Sequence, residues 1–121
     1  MDIQQMIFTQ LRLDIEAKGY DVYDGELPPE GTACPFVYLG DSSQSDKTTK
    51  AGYIGDALQT IHVWHDAKKR GTVSAMLADI KDICRQIADR YSLVLTGMTQ
   101  NILEDSTTKQ LHGVLTVKFK F

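Results

Sequence analysis

The chain has 121 residues, of which 42% are hydrophobic and 24% are charged, so it suits one ordinary domain with a real core. Its formal net charge of −3 argues against general nucleic-acid binding, which needs a basic face to neutralise phosphates. Two cysteines without a CxxC pair, no leader peptide and no apolar run of membrane-spanning length predict a soluble protein, intracellular where it is made, without a disulfide framework.

The first predicted element is a helix whose apolar residues recur at helical spacing and form one stripe. Asp2 and Gln5 have the spacing of a capping box at its start, and Gly19 is placed to end it. We expect the stripe to pack on a sheet. Its members are Ile3, Met6, Ile7, Leu11 and Ile15.

The next segment predicts three strands separated by turns and a polar stretch. Residues 20–23 form a short strand, and adjacent prolines at 28 and 29 then exclude regular structure. Residues 36–40 and 57–65 are rich in β-branched and aromatic side chains, which favours strands. Between them, "DSSQSDKTTKAG" (41–52) has no apolar anchor and predicts an exposed hairpin tip or a mobile loop.

The second helix shows a continuous apolar stripe, and Thr72 is placed to cap its start. The stripe consists of Val73, Met76, Leu77, Ile80, Ile83, Cys84, Ile87 and Tyr91. Strands 93–103 and 111–121 follow, joined by "EDSTTKQ", and the last strand alternates apolar and polar residues. The order of elements predicts an α+β fold with a mostly antiparallel sheet, two helices packed on one face and two β-hairpins, all in one domain spanning 1–121.

The stretch "TIHVWHD" (60–66) invites a metal or catalytic interpretation. In a strand, His62 shares a face with Trp64 while His65 points the other way, so the two imidazoles cannot bind one metal. A metal-binding or hydrolytic domain using His62, His65 and His112, with Asp66 nearby, stays an open alternative. No GxSxG elbow and no phosphate-binding glycine loop supports it, so we expect no cofactor, no metal and no catalytic residue.

Two further features leave a structural and a partner-binding interpretation open. Trp64 lies on the polar face of its strand, where a tryptophan is either covered by a helix or left at an interface. Three cations before the second helix form either a solvated turn or an electrostatic contact to an acidic partner or to DNA. With the polar stretch, the candidate interface residues are Ser43, Gln44, Asp46, Lys47, Lys50, Trp64, Lys68, Lys69 and Arg70.

Several pieces of the sequence resemble the small tail-completion proteins of long-tailed bacteriophages, also called tail terminators or head-to-tail joining proteins. The resemblance is carried by "VYD" before a proline, by the "PxVxxG" pattern from Pro35 to Gly40, and by "VW" at 63–64 shortly before an amphipathic helix. These motifs are short, and their joint order and spacing carry the resemblance. The chain departs from the pattern at "HDAKKRG" (65–71), which is more basic than a plain turn requires.

The resemblance implies a sheet flanked by helices and a structural protein, not an enzyme. It implies a hexameric ring that caps the tail tube, stops its polymerisation and joins the tail to the head connector. The implied partners are other copies of the chain, the tail tube protein and the connector or stopper protein, with DNA only as passing cargo and no membrane. The implied location is the host cytoplasm during assembly and then the head-proximal end of the virion tail. A generic α+β adaptor with another partner remains the other alternative.

Overall fold

The computed structural model describes residues 2–121 and confirms the α+β fold. The elements are α1 (Ile3–Ala17), β1 (Val22–Asp24), β2 (Phe36–Thr49), β3 (Gly52–Asp66), α2 (Arg70–Arg90), β4 (Val94–Asp105) and β5 (Gln110–Lys120). The five strands form one sheet in the order β1-β2-β3-β5-β4, in which β1 runs parallel to β2 and the other neighbours are antiparallel. No helix within residues 2–121 combines the length and apolar character needed to cross a membrane.

Helix α1 packs through its predicted stripe, but its cap differs from the prediction. Ile7, Leu11 and Ile15 are buried, and Gly19 leaves the helix at φ +94° as expected. The predicted capping box is wrong, because the N-cap residue Asp2 makes no side-chain cap hydrogen bond. The amide of Gln4 instead donates to Gln44 Oε1 at 2.8 Å, so a residue of β2 takes the capping role.

Helix α2 also buries its predicted stripe except Tyr91, which follows the last helical residue and is 37% exposed, and the helix begins earlier than predicted. Its first residue is Arg70, and its N-cap, Lys69, makes no side-chain hydrogen bond to the helix. Thr72 therefore lies inside the first turn, and the prediction that it caps the helix is wrong. Arg70 likewise belongs to the helix and does not precede it. The hydroxyl of Tyr20 donates to a carboxylate of this helix, Asp79 Oδ2, at 2.7 Å.

The core lies between the two helices and one face of the sheet. This inner face is formed by alternate residues of the three central strands: Val37, Leu39, Ile61, Val63, Leu115, Val117 and Phe119, each at most 2% exposed. Gly113 lies on the same face beneath α2, where a Cβ atom would come within 3.1 Å of the Leu77 and Val73 side chains. Within residues 2–121, no helix lies over the outer face of the sheet.

The polar stretch 41–52 is a hairpin, so the alternative of a mobile loop is wrong. Strand β2 continues to Thr49, and β3 begins at Gly52. A register shift between Leu39 and Ser42 inserts one extra residue into β2 and breaks the alternation of side chains. This bulge and the lack of apolar residues explain why the sequence pattern does not reveal the strand.

Candidate assembly surfaces

The β2–β3 hairpin extends past the rest of the sheet. Strand β5 accompanies β3 only as far as Asp56, where Lys120 is its partner, and the backbone groups of Phe121 then pair with Gly55. Within residues 2–121, strand pairing beyond that point joins the two hairpin strands only to each other. We call this projecting part, residues 46–54, the hairpin arm.

The arm exposes apolar side chains at its end. Tyr53 is 71% exposed and Ile54 46%, although aromatic and aliphatic side chains gain most from being covered. Lys47 and Lys50 give the arm two cations against one carboxylate, Asp46. Neither lysine forms an ion pair within the part of the chain that the structure describes. An element of this kind suits contact with another molecule.

The other candidate residues of the hairpin divide between the two faces. Ser43 and both lysines lie on the surface, free to meet a partner. Gln44 faces α1, where it receives the Gln4 amide and donates through Nε2 to Asp2 and to Asp46. Gln44 and Asp46 thus have partners within the chain, and a contact of either with another subunit stays a prediction.

Trp64 lies on the open outer face, where no helix of residues 2–121 covers it. Its indole ring stacks on His112 at 3.8 Å between centroids, with the planes 8° apart, and lies 6.4 Å from the ring of Phe36. His62 stacks on His112 at 4.9 Å, and Tyr38 lies 5.8 Å from His62. We call these five side chains the aromatic row. It runs across three neighbouring strands.

Two histidines of the row share a hydrogen bond. His62 Nδ1 lies 2.7 Å from His112 Nε2, so one nitrogen holds a proton and the other accepts it. Burial and the neighbouring His62 together lower the pKa of His112 to about 4, against an opposing effect of Asp105. Burial also lowers the pKa of His62, against an opposing effect of Asp41. The pair is therefore neutral at pH 7.

The hydrolytic and metal-binding alternatives gain little from this geometry. His65 lies on the inner face, 8% exposed, and its Nδ1 accepts the amide of Asp66, as the alternation of the strand predicts. His62 and His112 do converge, but residues 2–121 contain no group of three His, Cys, Asp or Glu side chains able to hold a metal. Structural sites for zinc need four such ligands and catalytic sites three.

Gly40 explains part of the "PxVxxG" pattern. A Cβ atom at this position would lie 2.7 Å from His62 Nε2 and 2.9 Å from its Cδ2. The glycine therefore leaves room for the imidazole beside the bulge in β2. A larger residue would displace His62 and with it the contact to His112.

A cleft of about 430 Å³ opens at the end of the sheet opposite the arm. The loop segment from Leu27 to Thr32 forms one wall, the turn between β4 and β5 forms the other, and Phe36 and Trp64 also line it. Trp64 Nε1 is buried, and it has no acceptor within residues 2–121. An indole N–H without an acceptor is costly, and a partner's oxygen can satisfy it.

The basic stretch after β3 is exposed. Lys68, Lys69 and Arg70 all lie on the surface, and none forms an ion pair with a described residue. Their position at the start of α2 is unfavourable for the helix dipole by a few tenths of a kcal/mol. Their role in binding a partner stays a prediction.

The sequence did not reveal the cleft or the pairing of His62 with His112. Both depend on which strands are neighbours, because β5 lies beside β3 although 50 residues separate the two histidines. Leu27 was the one clue in the sequence, because it is an apolar residue between turn formers. In the structure its side chain is 58% exposed. The alternation of side chains in β3 and β5 places His62 and His112 on the outer face of each strand. Only the register between the two strands brings these side chains together.

Comparison with known proteins agrees with this fold. No curated protein matches the chain in sequence. A chain of the solved structure "Virion of native gene transfer agent (GTA) particle" has the same fold, with a TM-score of 0.66 and 24% sequence identity over 98% of this chain and 92% of that chain. Residues 7–119 match the family described as "Tail completion protein gp17". The chain therefore belongs to the tail completion protein gp17 family and has a structural role in a phage tail.

Proposed function

We propose that this chain caps the phage tail tube as a ring, stops tube polymerisation and joins the tail to the head connector. The observation that carries the proposal is the family match over residues 7–119. The hairpin arm and the open sheet face support it, because a monomer gains nothing from exposing Tyr53 and Ile54 on a projecting hairpin. Residues 1–121 act as a single tail-terminator-like domain in this proposal.

A ring needs two different surfaces on each copy, used in the same way around the circle. The ring in this proposal is a homohexamer whose faces contact the tail tube protein on one side and the connector or stopper protein on the other. In this proposal the candidate interface residues of the arm form part of these contacts. Trp64, Lys68, Lys69 and Arg70 form another part. Assembly takes place in the host cytoplasm, and the finished ring lies at the head-proximal end of the virion tail.

DNA crosses the proposed ring as cargo and is not a bound ligand. Each copy carries a formal net charge of −3, so the assembled ring repels the phosphate backbone on balance. A general DNA-binding ring would instead need a basic lining. Weak contact with DNA suits a channel through which the genome has to pass.

The experiment that tests the proposal is a tube-polymerisation assay with the tail tube protein of the same virion. We expect added protein to stop elongation and shorten the tubes seen by electron microscopy. A shortened variant, in which an Asn-Gly turn joins Asp46 directly to Gly55, should fold and fail to cap. Unchanged tube lengths with the parent chain would refute the proposal, and normal capping by the shortened variant would remove the arm from it.

A zinc titration by calorimetry separates this proposal from the metal-binding alternative. Micromolar affinity that is lost in His112→Gln would favour a metal site at His62 and His112. A monomer or dimer without affinity for tail tubes would favour the generic adaptor.

A further inference from the structure

We infer that the hairpin arm of one copy occupies the cleft beside Trp64 in the next copy, with Tyr53 as its anchor. The inference rests on the proposed ring and names the two surfaces that would close it. It starts from position: the arm and the cleft lie at opposite ends of β3. The strand between Tyr53 and Trp64 spans about 36 Å at the usual rise per residue, so the two surfaces cannot meet within one chain.

Surfaces at opposite ends of one subunit join copies head to tail. Such a contact is heterologous: each copy gives its arm and receives its neighbour's. Head-to-tail contacts close into a ring when the rotation between copies allows it, and otherwise form an open filament. The arrangement of arm and cleft therefore suits the assembly proposed for this chain.

The chemistry of the two surfaces is complementary. The arm presents the aromatic ring of Tyr53, and the cleft is lined by apolar side chains such as Leu27, Phe36 and Trp64. The phenol oxygen can accept the indole N–H of Trp64, which has no acceptor among residues 2–121. Tyrosine and tryptophan are typical anchors at the centre of protein interfaces.

Charge favours the same pairing. Among the residues that line the cleft, Glu30 and Asp105 are charged and none is a cation. The arm carries Lys47 and Lys50 against the single carboxylate of Asp46. Opposite charges at the rim of an interface mainly guide encounter and fix orientation.

The test uses one substitution on each surface, with matched controls. Tyr53→Asp blocks the arm and Leu27→Asp blocks the cleft, and both residues are exposed, so folding should be retained. Leu13→Asp in α1 and Tyr91→Asp just after α2 place the same changes at exposed positions away from both surfaces. We expect each blocking variant to lower occupancy of tube ends by at least about tenfold, as removing an interface anchor does, and both controls to cap like the parent.

Mixing the two blocking variants tests the head-to-tail arrangement itself. The Leu27→Asp copy keeps an intact arm, and the Tyr53→Asp copy keeps an intact cleft, so the mixture can form dimers through one good contact and no ring. Sedimentation at the concentration where the parent forms rings would detect this. Trp64 is the single tryptophan, so its emission should shift to shorter wavelength in these dimers as the cleft is covered.

Charge reversal gives a second, independent variant pair. Lys50→Glu should weaken assembly severalfold at low salt, and adding Glu30→Lys should restore it. Normal capping by both Tyr53→Asp and Leu27→Asp would overturn the inference and leave the proposed ring intact. Failure of the parent chain to cap tubes would instead remove the proposed function, and the inference with it.

Discussion

The two faces of β3 show how one strand serves two purposes. On the inner face, Ile61 and Val63 are fully buried beneath the helices. On the outer face, His62 and Trp64 alternate with them, and no helix in the described part of the chain covers either side chain. The backbone is the same, and the difference lies in what packs against it. Stability should therefore depend on the inner face, and assembly on the outer face together with the arm.

The largest expected effect separates the two faces of β5. Leu115→Ala removes a fully buried side chain, so we expect the free energy of unfolding to fall by about 2–5 kcal/mol. Its neighbour Thr116 lies on the outer face, and Thr116→Ala should cost less than about 1 kcal/mol. Urea unfolding measures both. Equal losses would show that the outer face is packed as tightly as the core.

A pair of glycines tests how closely α2 approaches the sheet. Gly113→Ala would place a Cβ atom 3.1 Å from Leu77 and Val73, so we expect a loss of about 1–3 kcal/mol from overpacking. Gly97 has open space around its Cβ position, and Gly97→Ala should change stability by less than about 0.5 kcal/mol. Thermal unfolding of both variants gives the comparison. If Gly113→Ala is as neutral as Gly97→Ala, the close packing of α2 on β5 is wrong.

The histidine pair should make stability depend on pH between about 4 and 6.5. Both pKa values are lowered in the folded protein, so the unfolded chain binds more protons in this window and stability falls as pH falls through it. The stability that the neutral pair contributes is fully present above about pH 6.5. We expect the free energy of unfolding to be lower by roughly 1 kcal/mol at pH 5 than at pH 7. This value is reduced for solvent screening, because both rings are only half-buried.

His112→Gln is the variant that isolates this effect, because it keeps a hydrogen-bonding side chain beside His62. Its stability should vary less between pH 7 and pH 5 than that of the parent. Asp41 and Asp105 are the carboxylates that act on the pair. Backbone hydrogen bonds from Thr107 and Thr108 lower the pKa of Asp105 below its ordinary value. An unchanged pH dependence in the variant would contradict the coupling of the two histidines.

The smallest effect concerns the start of α1. Gln44→Ala removes the acceptor of the Gln4 amide, so we expect a loss of about 0.5–1 kcal/mol, in the range of an N-cap deletion. Asp2 makes no side-chain cap bond, and Asp2→Ala should change stability by only a few tenths of a kcal/mol. Chemical denaturation of the two variants decides between the caps. A larger loss in Asp2→Ala would restore the capping box that the sequence predicts.

The sequence predicted the elements that have a strong apolar period. The stripe of α2 is buried as predicted from Val73 to Ile87, and the burial of β5 alternates as predicted, because each pattern reflects one covered face. The sequence also placed His62 and His65 on opposite faces, since strand geometry fixes that result locally. These features depend only on residues that are close together in the chain. The sequence alone was therefore enough to predict them.

Features that depend on distant residues were missed or wrongly assigned. Gln44 caps α1 from 40 residues away, and the polar part of β2 is held in the sheet by pairing with β3. The bulge after Leu39 also disrupts the period on which strand prediction relies. The cleft needs the segment before β2, the end of β3 and the turn after β4 to come together, which no local pattern encodes.

The most direct test of assembly through the open face and the arm is a cryo-EM reconstruction of tail-tube ends bound by this protein. We expect a six-fold ring at one end of each tube, with residues 46–54 of every copy in contact with a neighbouring copy. A ring whose arms and Trp64 clefts all face solvent would contradict this assignment of surfaces. Bare tube ends beside free monomers would contradict the capping function itself.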